Sequence, residues 1–180
     1  MGQILVHEFA TLDGVISEPR WSAPYGFDPK MGEAIGGLMS RCDTILLGRK
    51  TYEMFAPVWS QRTAADDPGA PFFNETTKHV VSSTLTEATW QNTEVVAYDD
   101  VARLKESADG GLYISGSGTL VRTLLADGLV DELHLFVYPL LMGAGPRLYD
   151  SGTTVGLELT ASEQYDNGVL YLAYRVPQGG

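Results

Sequence analysis

The sequence predicts an α/β fold in three α/β/α layers: helices on both faces of a mixed, mostly parallel sheet that ends in a C-terminal antiparallel hairpin. Three observations carry this. From Ile4 to Ala126 short apolar, β-branched runs alternate with helical patterns across mostly short joins, as they do when parallel strands are linked by crossovers. Near the carboxyl end, Asp166-Asn167-Gly168 separates two alternating runs, a strong turn signal between antiparallel partners. The 180 residues fit a single domain, 1–180, long enough to bury about 70% of the unfolded surface and to enclose a cleft.

Taken in order, Ile4–Ala10 alternates, is rich in branched and aromatic residues and breaks at Asp13-Gly14, so it reads as a strand entering the loop TLDGVISEPRW. Met31–Ser40 is a short helix and Thr44–Leu47 an apolar strand, after which Gly48 opens a second helix through about Phe55. Between Ser60 and Thr77 the composition turns to Asp, Pro, Thr and Gly, which predicts a long surface loop with scope to act as a lid. Lys78–Thr84 and Glu94–Ala97 are strands, Asp100–Ser107 a helix, Leu112–Ser115 a strand and Thr119–Ala126 a helix. Leu133–Tyr138 is the next strand, and Leu157–Tyr165 and Val169–Val176 are the hairpin arms. No internal repeat or low-complexity segment interrupts the pattern.

Composition narrows the function classes. The net charge of −11 repels nucleic acid and anionic lipid, so neither is an expected partner. No apolar run approaches the roughly 20 residues that cross a bilayer, and the start of the chain lacks the basic and apolar regions of a signal peptide. One cysteine, Cys42, and three scattered histidines exclude an internal disulfide and leave no ligand set for a metal. The expected compartment is the cytoplasm.

Three strand ends carry chemistry. In LYISGSGTLVRTLL, Gly116 and Gly118 lie between a strand and a helix whose first N–H groups have no intrahelical partner; the turn either cradles an anion or uses glycine only for its backbone angles. In Gly48-Arg49-Lys50-Thr51-Tyr52 two cations open a helix, where the macrodipole prefers acids. In an acidic protein such a pair makes a phosphate clamp, Arg supplying a planar fork and Lys a point charge; a solvated pair near surface carboxylates is the alternative. In HVVSSTL the hydroxyls of Ser82, Ser83 and Thr84 follow an apolar run at a strand's carboxyl end, where open α/β sheets bind ligands. If the three strands are parallel neighbours, their ends converge on one crevice suited to an extended dinucleotide. The carboxylates near this cleft are Asp13, Asp28 and Glu33, each a proton source if burial raises its pKa. Trp21, Tyr25 and Phe27 are candidates to line the pocket of a flat heterocycle, with ordinary packing under a loop as the alternative. His7 and His134 lie in strands and read as packed or surface imidazoles.

The blocks FATLDGVISEPRW, DTILLGRKTYEMF, KHVVSSTL, LYISGSGTLVRTLL and LVDELHLFVYPLLMGAGPRLY, in that order, resemble the dihydrofolate reductase superfamily. They are most similar to its stand-alone bacterial branch, which is akin to the reductase domain of the bifunctional riboflavin-biosynthesis deaminase-reductase. The resemblance implies a dihydrofolate reductase-like domain that binds NADPH along the strand ends, and a homodimer. Carried over motif by motif, Arg49, Lys50 and Thr51 following Gly48 would meet phosphates, and Ser82, Ser83 and Thr84 would surround the phosphorylated ribose. Ser115, Gly116, Ser117, Gly118, Thr119 and Leu120 would wrap the pyrophosphate, while Ala10, Val15 and Ile16 would border the nicotinamide. The family's acid on the first helix has no clear counterpart, Glu33 being the nearest carboxylate, and no zinc deaminase motif is present. The expected function is an NADPH-dependent reductase that transfers hydride to a pteridine-like substrate or a riboflavin-pathway pyrimidine beside the Asp13–Trp21 loop, with Asp13, Glu33 and Trp21 as candidate catalytic residues. The alternative is a non-catalytic NADPH-binding dimeric module.

Overall fold

A computed structural model describes residues 2–16, 19–149, 152 and 154–178. The strands are β1 (Ile4–Thr11), β2 (Cys42–Gly48), β3 (Thr77–Val81), β4 (Thr93–Val96), β5 (Gly111–Ser115), β6 (Glu132–Tyr138), β7 (Glu158–Gln164) and β8 (Leu170–Arg175), and the helices are α1 (Pro29–Met39), α2 (Arg49–Trp59), α3 (Ala70–Glu75), α4 (Val101–Ser107) and α5 (Gly118–Ala126). All eight strands form one sheet in the order β4-β3-β2-β5-β1-β6-β8-β7. The first six run parallel, and β8 lies antiparallel to both β6 and β7.

The layering follows from strand period. Even-numbered Ile4, Val6, Leu112 and Ile114 pack with Val101 of α4 and with Leu120, Val121, Leu124 and Leu125 of α5. Their odd-numbered neighbours Leu5, Ile45, Leu47 and Tyr113 point the other way, against Leu38 of α1, Tyr52 of α2 and Phe73 of α3. A strand covered on both faces must be apolar on both, and the stretches Ile4–Val6, Ile45–Leu47 and Leu112–Ile114 are continuous buried apolar runs. Where helix cover thins, the polar groups within the sheet pair instead. His7 Nδ1 lies 2.9 Å from the Tyr113 hydroxyl. His134 meets the Tyr171 hydroxyl at 2.8 Å and Glu132 at 2.9 Å, and Glu132 takes a bidentate contact from Arg41. Burial lowers His7 to about 3, so its imidazole is neutral.

The Ser60–Thr77 stretch departs from the expected loop, because α3 lies inside it. Phe73 stacks on Trp59 at 4.3 Å between centroids. The ammonium of the fully buried Lys78 donates to the carbonyl oxygens of Phe73 and Thr76, both at 2.8 Å, and stands 4.6 Å over the Trp90 ring. A six-residue helix is too short to show a 3.6-residue period, so its stability comes from packing and from this lysine at its carboxyl end. The strand read as Lys78–Thr84 stops at Val81, which leaves Ser82–Thr84 as a turn: Ser82 Oγ accepts from the N–H groups of Thr84 and Leu85 at 3.2 and 3.0 Å.

Candidate functional site

The carboxyl ends of the parallel strands share one edge of the sheet, and β2 and β5, neighbours there, each run straight into a helix. The two turns are tied together. Gly48 N–H donates to Ser117 Oγ at 2.8 Å. Ser117 holds a left-handed backbone, φ +66°, after Gly116 at φ +73°. A non-glycine residue there costs about 1–2 kcal/mol, and the tie to Gly48 offsets it. The same tie diverts the Ser117 hydroxyl from capping α5, and Gly48 has no side chain with which to cap α2. Neither helix has an acid in its first turn, so two sets of open N–H donors and two positive dipole ends face one place.

That place is a pocket of about 350 Å³ lined by Gly48–Thr51, Ser117–Leu120, Thr123, Val81 and Tyr98. Beside it a second pocket of about 390 Å³ is lined by Ser82, Ser83, Thr84 and Ala97, and shares Arg49, Val81 and Tyr98 with the first. Together they make a crevice along the ends of β5, β2, β3 and β4. Arg49 and Lys50 are exposed at its mouth, Arg49 with Glu53 at 3.6 Å, and Thr51 is buried at its floor beside Gly116. Tyr98, whose hydroxyl donates to Asp127 at 2.6 Å, partitions the crevice; nothing in its sequence context marked it.

The loop after β1 reaches the same edge. A Cβ on Gly118 would collide with Ile16 Cδ1, so that glycine admits Ile16 rather than leaving space for an anion. Ala10 and Val15 are buried. Ser17 and Glu18 lie outside the described residues. Asp13 is a clamp. Its carboxylate accepts from the Thr11 hydroxyl at 2.6 Å and from the N–H groups of Gly143 and Met142 at 2.7 and 3.1 Å, and its carbonyl accepts from Arg147. The Thr11 hydroxyl first, then the two N–H groups, hold its carboxyl down at about 2, so it is ionised at neutral pH. Trp21 and Tyr25, on a short 3-10 turn over Pro19–Tyr25, stand edge-on against Tyr138 at 5.2 and 5.5 Å. Glu33 is exposed on α1, and adds the least of several contributions to the Tyr165 phenol, which burial chiefly raises.

A buried carboxylate, like Tyr98, was not marked by the sequence. Glu8 sits in β1 just past His7, whose carbonyl accepts from Gly116 N–H, and is therefore level with the glycine turn on the α5 side. It is 3% exposed, and its Oε1 has no hydrogen-bond partner among the described residues. Burial pushes its carboxyl up to about 8, against the pull of Arg122. The only available signal was a carboxylate inside a strand that the pattern buries.

A layered α/β/α sheet of this order, with a crevice across its parallel strand ends, is a dihydrofolate reductase-like fold. The chain belongs to the RibD C-terminal domain family, whose model matches residues 3–171. It is 27% identical over 184 residues to the uncharacterized protein YyaP of Bacillus subtilis, covering 96% of this chain and 94% of that one. It is also 27% identical over 168 residues to YwjB of the same organism, covering 88% and 90%. Among solved structures it resembles a putative riboflavin biosynthesis protein from a Shewanella species, with TM-score 0.78, 22% identity, and 97% and 99% of the two chains covered. A pyrimidine reductase-like protein from Corynebacterium diphtheriae gives TM-score 0.66 at 17% identity over 98% and 92%. A dihydrofolate reductase from Enterococcus faecalis complexed with NADP(H) gives 0.66 at 15% over 97% and 96%. The family is reductase-like.

Proposed function

We propose that the protein is an NADPH-dependent reductase of a small heterocycle, pteridine-like or a riboflavin-pathway pyrimidine, acting in the cytoplasm as a homodimer. One observation carries this: two uncapped helix starts, the Arg49-Lys50 pair and the hydroxyls of Ser82–Thr84 open onto one continuous crevice. That donor set fits a dinucleotide, whose pyrophosphate needs N–H groups and whose extra phosphate needs cations. Arg49, Lys50 and Ser82–Thr84 would hold the phosphorylated ribose, Thr51 and Ser115–Leu120 the pyrophosphate, and Ala10, Val15 and Ile16 the nicotinamide.

When bound, the nicotinamide supplies a hydride. The chain's contribution is orientation and exclusion of water. Asp13, ionised and held by three donors, fixes the Leu12–Ile16 loop rather than delivering a proton. Trp21, packed against Tyr138, would border the substrate, and Glu33, exposed on α1, is assigned no step. For the dimer, every residue of the edge strand β7 is exposed, and Leu159 and Leu170 on the hairpin are 56% and 41% exposed.

The test is calorimetric titration with NADPH and NADH, then a screen of NADPH oxidation against pteridines, riboflavin-pathway pyrimidines and simple carbonyls. Absence of NADPH binding refutes the reading. Tight binding with no turnover marks a cofactor-sensing module instead.

A further inference from the structure

Resting on the reading that the crevice holds a nicotinamide cofactor, we propose that Glu8 is a positioning residue for its pyrophosphate: with Arg122 it sets, from beneath, how much positive potential the first turn of α5 offers the anion. Glu8 and the glycine turn are neighbours. Gly116 N–H donates to the His7 carbonyl at 3.3 Å, and the next residue along β1, on the face where Ile4 and Val6 meet α5, is Glu8. Arg122 links it to the crevice. Its Nη2 donates to Thr119 Oγ1 at 3.3 Å, its Nη1 donates to the Arg147 carbonyl at 2.7 Å, and that Nη1 would stand 3.8 Å from a Cβ on Gly118. Gly118 and Thr119 both line the crevice.

A carboxyl that is 3% exposed is held uncharged, because burial strips the charged form of its water. Uncharged, Glu8 leaves the dipole end of α5 and the Arg122 guanidinium to the pyrophosphate. Ionised, it draws on the same positive charge from inside the protein and repels the anion outside. Burial pushes the carboxyl up to about 8 against the pull of Arg122, so this change falls in an accessible range. The surrounding groups are few. β6 sets Leu135 opposite Glu8, and β5 brings the Tyr113 phenol, which burial raises and whose hydroxyl meets the neutral His7 imidazole. From the segment after β6, Tyr149 packs into the α5-side cluster and Arg147 donates to the Asp13 carbonyl. Lys78, which burial lowers to about 8, titrates in the same range on the other face of the sheet, at the end of α3.

The test is calorimetric titration of the full chain with NADPH between pH 7 and pH 9, above the range in which the cofactor's own phosphate titrates. Two buffers of different ionisation enthalpy count the protons taken up. If the bound pyrophosphate keeps Glu8 uncharged up to about pH 9, NADPH affinity falls about fivefold from pH 7 to pH 9, and binding at pH 8.5 takes up about half a proton. In Glu8→Gln the affinity at pH 9 should stay within about twofold of that variant's own value at pH 7. Should Glu8→Gln fail to fold, the proton count on the wild-type chain decides by itself. A wild-type affinity that is flat with pH, a fall that Glu8→Gln retains, or no proton uptake at pH 8.5 overturns the role of Glu8 and leaves the cofactor reading standing. No binding of NADPH at pH 7 refutes the cofactor reading and the role of Glu8 with it.

Discussion

Arg49→Ala separates a phosphate clamp from a solvated helix start. NADPH carries one phosphate more than NADH, about −1.5 to −2 charge at neutral pH. A charge-assisted hydrogen bond contributes about 1.5–3 kcal/mol when shielded from water. Arg49 is not shielded: its side chain is 45% exposed and has Glu53 at 3.6 Å as a competing partner. Solvent screening and that competition roughly halve the figure, to about 0.7–1.5 kcal/mol, or a three- to tenfold loss of NADPH affinity. NADH should change little. Raising the salt should shrink the loss, since exposed charges are screened over about 10 Å at 0.1 M. Glu53→Gln, which frees the guanidinium, should tighten NADPH by up to about twofold. Calorimetric titration of both nucleotides at low and high salt reads all of this. If Arg49→Ala leaves the NADPH-to-NADH affinity ratio unchanged at low salt, the pair serves no phosphate and the argument from the helix start fails.

Other expectations follow from particular contacts. Ser117→Ala keeps the left-handed strain and loses the bond to Gly48, costing about 1–2 kcal/mol in urea unfolding, whereas Ser117→Gly relieves the strain and should be nearly neutral. Glu8 titrates at about 8 folded against 4.5 unfolded, so its contribution is fully present below pH 4.5 and is lost as pH rises to about 8. The shift bounds that loss at about 5 kcal/mol, and Glu8→Gln should remove this part of the pH slope of stability; an unchanged slope would refute a protonated Glu8. Phe73→Ala, which empties the stack on Trp59, should cost about 3–5 kcal/mol by chemical denaturation. Sedimentation should find a species near twice the 19.5 kDa chain mass, and a monomer alone at micromolar concentration would remove the dimer.

The strands and the hairpin were legible because their signal is periodic and local: β1 announces itself by alternation, β2 by an apolar run, and Asp166-Asn167-Gly168 as a turn. The converging strand ends were legible too, because glycine beside a strand and cations at a helix start each violate a local preference. What stayed hidden depends on distant partners. The Phe73–Lys78–Trp90 cluster that holds α3 joins residues no window spans. Asp13 could be picked out as a carboxylate near the cleft, but its three donors come partly from a loop about 130 residues away, so its low pKa was not readable. The glycine turn left open whether Gly118 makes room for an anion, and the Ile16 side chain that lies against it comes about 100 residues earlier.

The position of β1 bears on how the chain comes to be folded. β1 lies near the middle of the sheet, with Ile4 opposite Leu112 and Leu5 opposite Glu132, partners that come about a hundred residues or more later in the chain. Once made, β1 has no partner until those residues follow. An apolar strand with two bare edges therefore waits for more than a hundred residues, and the core cannot close until β5 and β6 arrive. Closure over such separations is slow, and a waiting strand is open to wrong pairings. Slow refolding with a strong dependence on protein concentration is thus built into the strand order itself, whatever the crevice binds.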